Sequence, residues 1–295
     1  MKFKMKKILL FALGITTLLS SCDVLEGPFD EKVTVDTSAG PKRKILLEDF
    51  TGHTCGNCPC AAYEALRLDT TAAFRGRIII VASHVGFFAE PYTNGTKFRT
   101  DFRTTAGNEV NDFFHIDDQG LPQGMVNRTV YNSARILSST TWASAVGVFA
   151  TDTNISKYPA ATLSMSASYN SANRTASVEV NSKYLKEGNS NHQLVVYVVE
   201  DSIINWQKFY ESCGGIAKDV PDYVHRHVLR GAVNSTWGDA LYTTGSVIPI
   251  GTSINKSYTQ VLDPTWEAKH IYFVAFIQDN VTKEVVQVEE VKLIE

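Results

Sequence analysis

The sequence predicts an α/β domain followed by an all-β sandwich, in a chain exported from the cytosol. Three observations carry this: a short apolar strand leading into a Cys-x-x-Cys pair and a helical stripe, a switch to alternating patterning near residue 160, and an apolar leader that ends at a cysteine. With 295 residues, 44% apolar and 11% aromatic, there is ample material for real cores, so disorder is excluded as the main state. Twenty-eight Lys and Arg against 31 Asp and Glu give a net charge of −3. Without a basic field, nucleic acid is not expected as a partner.

The leader comes first in the chain. Lys2, Lys4, Lys6 and Lys7 precede an apolar run at residues 8–19, too short to serve as a permanent span. Residues 1–21 therefore read as a signal peptide. Leu19-Ser20-Ser21-Cys22 resembles a bacterial lipoprotein processing box, which implies acylation of Cys22 and a membrane partner reached through its lipid; an ordinary signal with a chance cysteine is the alternative. Loss of residues 1–21 removes four lysines and no acids, leaving 24 basic against 31 acidic side chains and a net charge of −7. Residues 22–43 mix Pro, Gly and charges without a period and read as a tether.

The α/β domain is expected over residues 44–152. Ile45–Phe50 is a short apolar run bounded by Gly52, a buried strand; Ala61, Ala65, Leu68 and Ala72 then fall on one helical stripe, with Pro59 suited to its first turn. The pair Cys55 and Cys58 thus sits where a strand ends and a helix begins. There the free N–H groups and the helix dipole favour a thiolate, so Cys55 reads as the more exposed nucleophile and Cys58 as the thiol that resolves a mixed disulfide. Cys60, about 200° round an ideal helix from Cys58, reads as a small buried hydrophobe or a third redox partner. Cys213 pairs with Cys60 or stays free.

These residues resemble the thioredoxin-like superfamily over roughly residues 44–150. The resemblance implies that Asp49, on the strand, handles the proton of the second cysteine. It also implies that Pro122, in Gly120-Leu121-Pro122-Gln123-Gly124, is a cis proline facing the cysteines. Gly56-Asn57 replaces the usual Gly-Pro between the cysteines, no tryptophan precedes Cys55, and residues 85–119 are long for this position, which leaves redox direction open.

Other readings compete for the same residues. His53 with Cys55, Cys58 and Cys60 offers four metal donors, yet no second Cys-x-x-Cys follows. His53 reads more simply as a surface residue near the cysteines, able to support a thiolate when protonated. A plain structural disulfide between Cys55 and Cys58 is a further alternative. His84 and His115 read as packing residues, while His225 and His227 lie in a segment that fits helix or strand equally. No HExxH, P-loop, GxSxG or EF-hand pattern occurs, so no cofactor is expected.

Ser138 or Ser139 caps a closing helix with Trp142, Val146 and Phe149 on one face. Beyond Pro159 the pattern alternates: Leu163–Tyr169 and Ala176–Val180 form a hairpin, and strands follow near 194–199, 246–250, 257–262, 271–277 and 285–293. Residues 160–295 therefore read as an immunoglobulin-like sandwich that binds or spaces rather than catalyses. Asn205–Leu241, with Trp206, Phe209, Tyr210, Tyr223 and Trp237, interrupts the strands and reads as a contact surface or, more simply, a local cap on the sandwich.

Taken together, the lipoprotein box, ILLEDFTGHTCGNCP, GLPQGMVNR and DYVHRHVLRGAVNSTWGD resemble the Bacteroidetes outer-membrane lipoprotein family first described as a twenty-eight-kilodalton adhesin. The resemblance implies an outer-membrane location, facing the periplasm or the cell surface. Two functions follow as expectations. One is thiol-disulfide exchange with envelope proteins through Cys55, Cys58, Asp49 and Pro122, which would make the chain an oxidoreductase; the other is adhesion to a surface ligand on a redox-inert scaffold.

Overall fold

A computed structural model describes residues 41–151, 159–214, 218–243 and 246–295. The expected signal peptide, Cys22 and nearly all of the tether lie outside the described residues. The first half contributes β1 (Ile45–Thr51), α1 (Cys58–Thr70), β2 (Ile78–His84), α2 (Thr105–Phe114), β3 (Gln123–Val126) and α3 (Ser139–Thr151). Strands dominate the second half: β4 (Ala161–Asn170), β5 (Thr175–Tyr184), β6 (Gly188–Asn189), β7 (His192–Glu200), β8 (Ile203–Phe209), β9 (Lys218–His225), β10 (Val228–Ala232), β11 (Asp239–Ala240), β12 (Val247–Ile248), β13 (Ser253–Val261), β14 (Ile271–Asp279) and β15 (Val285–Lys292). The protein is mostly β-sheet with few helices.

Every residue of β1 is buried: α1 and α3 cover one face, and on the other its side chains join a cluster that includes α2. Ile45 and Leu47 meet Ala61, Ala65 and Leu68 of α1 and Trp142, Val146 and Phe149 of α3. Leu46 points the opposite way, into a cluster with Ala106 of α2, Val195, Tyr197 and Phe276. The expected helical stripes are thus buried as read, except that α1 stops at Thr70, before Ala72. Pro59 occupies its first turn, and Thr104 caps α2 by accepting from the Gly107 N–H at 2.9 Å.

One sheet threads both halves in the order β15-β14-β7-β10-β2-β1-β3, with β11 beside β7. The join is parallel: Val228 of β10 pairs with Ala82 of β2, and the Ala82 N–H donates to the His227 carbonyl at 2.8 Å. The sheet thus draws strands from both sides of the expected junction near residues 152–160, and the described residues fall within one compact unit. An unpaired β2 edge would invite foreign strands, and β10 covers it.

The predicted hairpin is β4–β5, which with β13 makes a separate three-stranded sheet. Its apolar face, including Leu163, Val178 and Val180, packs on Val196, Val198, Phe273 and Ala275 of the long sheet. Two sheets do face each other here, and the second of them continues the α/β half.

His225 and His227 lie in neither a helix nor one continuous strand. The chain turns at Arg226-His227 between β9 and β10, with His227 at φ 53°.

Candidate functional site

Between β1 and α1 the chain makes a loop of six residues, Gly52–Asn57, and each glycine in it meets a wall. A Cβ at Gly52 would lie 2.4 Å from the Phe88 carbonyl oxygen, and one at Gly56 would lie 2.4 Å from Cδ1 of Tyr210. Glycine is required at both because backbone or ring occupies the space of a side chain. The Thr54 N–H and hydroxyl both donate to the Phe88 carbonyl, at 3.0 and 2.9 Å, which anchors the loop.

Cys55 and Cys58 form a disulfide with Cα atoms 5.4 Å apart, so the two residues read as a pair are brought together at the start of α1. Cys55, read as the more exposed of the two, is itself buried: it is 3% and Cys58 1% accessible. Their cover comes from β8 and the turn after it. The Lys208 N–H donates to the His53 carbonyl at 2.8 Å, the Tyr210 N–H to the Gly56 carbonyl at 2.9 Å, and the Gln207 amide to the Cys55 carbonyl at 2.9 Å. Ser212 donates to Oδ1 of Asn57 at 2.8 Å. Beside these contacts Cys60 is disulfide-bonded to Cys213, across 153 residues of sequence, so it is not a simple buried hydrophobe.

Asp49 sits on the α1-facing side of β1, buried, and burial pushes its carboxyl up to about 7. Its Oδ1 has no hydrogen-bond partner among the described residues. Asp49 and Cys58 line one cavity of about 600 Å³, together with Tyr63, Phe209, Tyr223 and His84. The carboxyl and the second cysteine therefore line the same cavity. The Leu121–Pro122 bond is cis, and the β3 register, with Gln123 opposite Phe50, places Pro122 alongside the end of β1 from which the cysteine loop departs.

His53 is not a surface residue. It is 1% exposed, its Nε2 lies 3.1 Å from the Glu90 carbonyl, and its ring packs on Phe98 and Phe102 at centroid distances of 5.5 and 6.1 Å. Burial lowers its pKa, so it is a neutral packing group and not a standing cation beside the pair. His84 and His225 continue this cluster, their rings 5.5 Å apart, with burial holding His225 down to about 4 and His84 well below its usual value. Both nitrogens of His84 lack partners among the described residues. Because Cys55, Cys58 and Cys60 are all engaged in disulfides, the sulfur donors required by a metal reading are committed elsewhere.

Several contributors come from a segment that sequence reasoning assigned to the sandwich. Gln207, Phe209, Tyr210, Cys213 and Tyr223 cap the cysteine loop and not the sandwich core. The available signal was that two thiols, Cys60 and Cys213, remain beyond the pair and Cys22, together with the aromatic residues near Cys213 in the sequence.

Fold and site together define a mixed-sheet protein with a disulfide at a strand–helix junction, capped by a hairpin from its own second half. Residues 93–295 match the model of the outer membrane protein Omp28 family, and the chain belongs to that family. Its place is accordingly the outer membrane. Among solved structures it is similar to HBP35 of Porphyromonas gingivalis, at 18% identity and a TM-score of 0.59, over 86% of this chain and 76% of that one. It also matches a domain of the outer membrane lipoprotein Omp28 from Porphyromonas gingivalis, at 23% identity and a TM-score of 0.30, over 46% of this chain and 89% of that one. No curated protein matches it.

Proposed function

We propose that this chain is a lipid-anchored outer-membrane protein that exchanges disulfides with envelope proteins through Cys55 and Cys58. The observation that carries the reading is the Cys55–Cys58 disulfide at the mouth of α1, over a cavity shared with the raised carboxyl of Asp49. Once the pair is reduced, the Cys55 thiolate attacks a substrate disulfide. The Cys58 thiol then loses its proton to Asp49 and displaces the product, leaving Cys55–Cys58 oxidised and the substrate reduced; the opposite direction runs the same steps backwards. The order β1, cysteine loop, α1 and the cis proline before β3 support a thioredoxin-like half over 44–152. The facing of β4, β5 and β13 onto β7 and β14 supports an immunoglobulin-like half over 160–295, built onto the same sheet.

Insulin reduction by the full chain, with a dithiol as electron source, tests exchange. Turnover lost in Cys55→Ser is expected, and equal rates in the two proteins reject it. Palmitate labelling that disappears in Cys22→Ser is expected if Cys22 carries the lipid.

Burial of both sulfurs favours a second reading, an outer-membrane adhesin in which the cysteine half is only scaffold. That reading requires the Cys55→Ser, Cys58→Ser variant to retain binding of the surface ligand.

A further inference from the structure

We propose that Cys60–Cys213 is a second redox site, the bond through which a dithiol-bearing envelope protein enters, and that its reduction unlatches the cover from Cys55–Cys58. As regulation, this deepens and rests on the exchange reading of Cys55 and Cys58.

The two disulfides differ in access. Cys55 and Cys58 are buried, whereas Cys60 and Cys213 are half-buried, and Asn57, Glu211, Ser212 and Gly214 around them are exposed. A thiolate needs a direct approach to the sulfur it attacks, so the outer bond is the first available. What the outer bond holds is also on the page. Cys213 ends the segment whose Tyr210 ring fills the space over Gly56 and whose backbone and side chains bond to Gly56 and Asn57. Gln207, buried on β8, anchors the base of this cover, but its outer end, Tyr210 to Cys213, is held apart from the disulfide by two hydrogen bonds and one half-exposed ring, the kind of attachment that opens locally at low cost. The covalent bond makes that opening expensive while it lasts.

The step balances as ordinary exchange. A thiolate of the donor attacks one sulfur of Cys60–Cys213, forming a mixed disulfide and releasing the other sulfur as a thiolate. The donor's second thiolate then attacks the donor's first sulfur and expels the protein cysteine held in the mixed disulfide, so the donor leaves oxidised and Cys60 and Cys213 are reduced by two electrons and two protons. Release of the segment bares Cys55–Cys58 to the next dithiol. The inner pair therefore works only where outer reducing power is present.

The full oxidised chain is treated with graded dithiothreitol, quenched with iodoacetamide and mapped by mass spectrometry. Cys60 and Cys213 are expected to be alkylated first, with Cys55 and Cys58 following only at higher reductant. In Cys60→Ser, Cys213→Ser the inner pair is expected to be reduced faster by on the order of tenfold. Tyr210→Ala, which keeps both disulfides, is expected to speed inner reduction and leave the outer bond unchanged. Inner cysteines alkylated first or together with the outer ones overturn the proposal, as does an unchanged inner rate in both variants. Because alkylation and not turnover is read, loss of insulin reduction with this order intact counts against the exchange reading alone.

Discussion

Arg128 grips Glu48 at two points, Nε to Oε2 at 2.8 Å and Nη2 to Oε1 at 2.6 Å, with the pair 0% and 2% exposed. The same guanidinium donates to Gln278 of β14 at 2.9 Å and lies 5.2 Å over the Phe276 ring. Glu48 is on β1, so the ion pair ties the strand that carries the cysteine loop to the strands of the second half.

Removing the cation leaves Glu48 buried and unpaired. Arg128→Met is expected to cost about 3–5 kcal/mol, read as a lower urea midpoint. Adding Glu48→Leu is expected to restore much of the loss, since the uncompensated charge is then gone.

Asp49 makes stability fall with rising pH. Its carboxyl is raised from 3.8 to about 7 by burial, so the folded state holds a proton that the unfolded chain has released. The contribution is complete below about pH 4 and lost by about pH 7, a swing of about 4 kcal/mol. His84 and His225 act oppositely, because burial lowers their pKa values and acidification below about 6.5 costs stability. Asp49→Asn isolates the first effect: the difference between variant and wild-type midpoints is expected to grow from pH 4 to pH 8, and a constant difference would sink the assignment.

Gly56 has no room for a methyl group beneath Tyr210. Gly56→Ala is expected to cost about 1–3 kcal/mol, and Tyr210→Ala in the same chain to recover part of it. Additive losses in the double-mutant cycle would show that the ring is not the obstacle.

The two disulfides should differ in what they contribute to folding. Cys60–Cys213 closes a long loop, with the partners 153 residues apart, whereas Cys55–Cys58 joins residues three apart. Under oxidising conditions Cys60→Ser, Cys213→Ser is expected to lower stability by about 2–5 kcal/mol, and Cys55→Ser, Cys58→Ser by less, because closure entropy grows with loop length. Thermal unfolding of the two variants side by side checks the order.

Local signals determined a good deal. The apolar run of β1, the stripe of Ala61, Ala65 and Leu68, Pro59 in the first turn and the alternation of β4 and β5 each obey a short-range period, so a neighbour a few residues away is enough to reveal them. The meeting of Cys55 with Cys58 is legible for the same reason. Tertiary structure alone decided the pairing of Cys60 with Cys213, the lid of Gln207 and Tyr210, the burial of His53 and the insertion of β10 beside β2. Each joins residues tens to more than a hundred positions apart, and no periodicity in a chain specifies which distant edge a strand will cover.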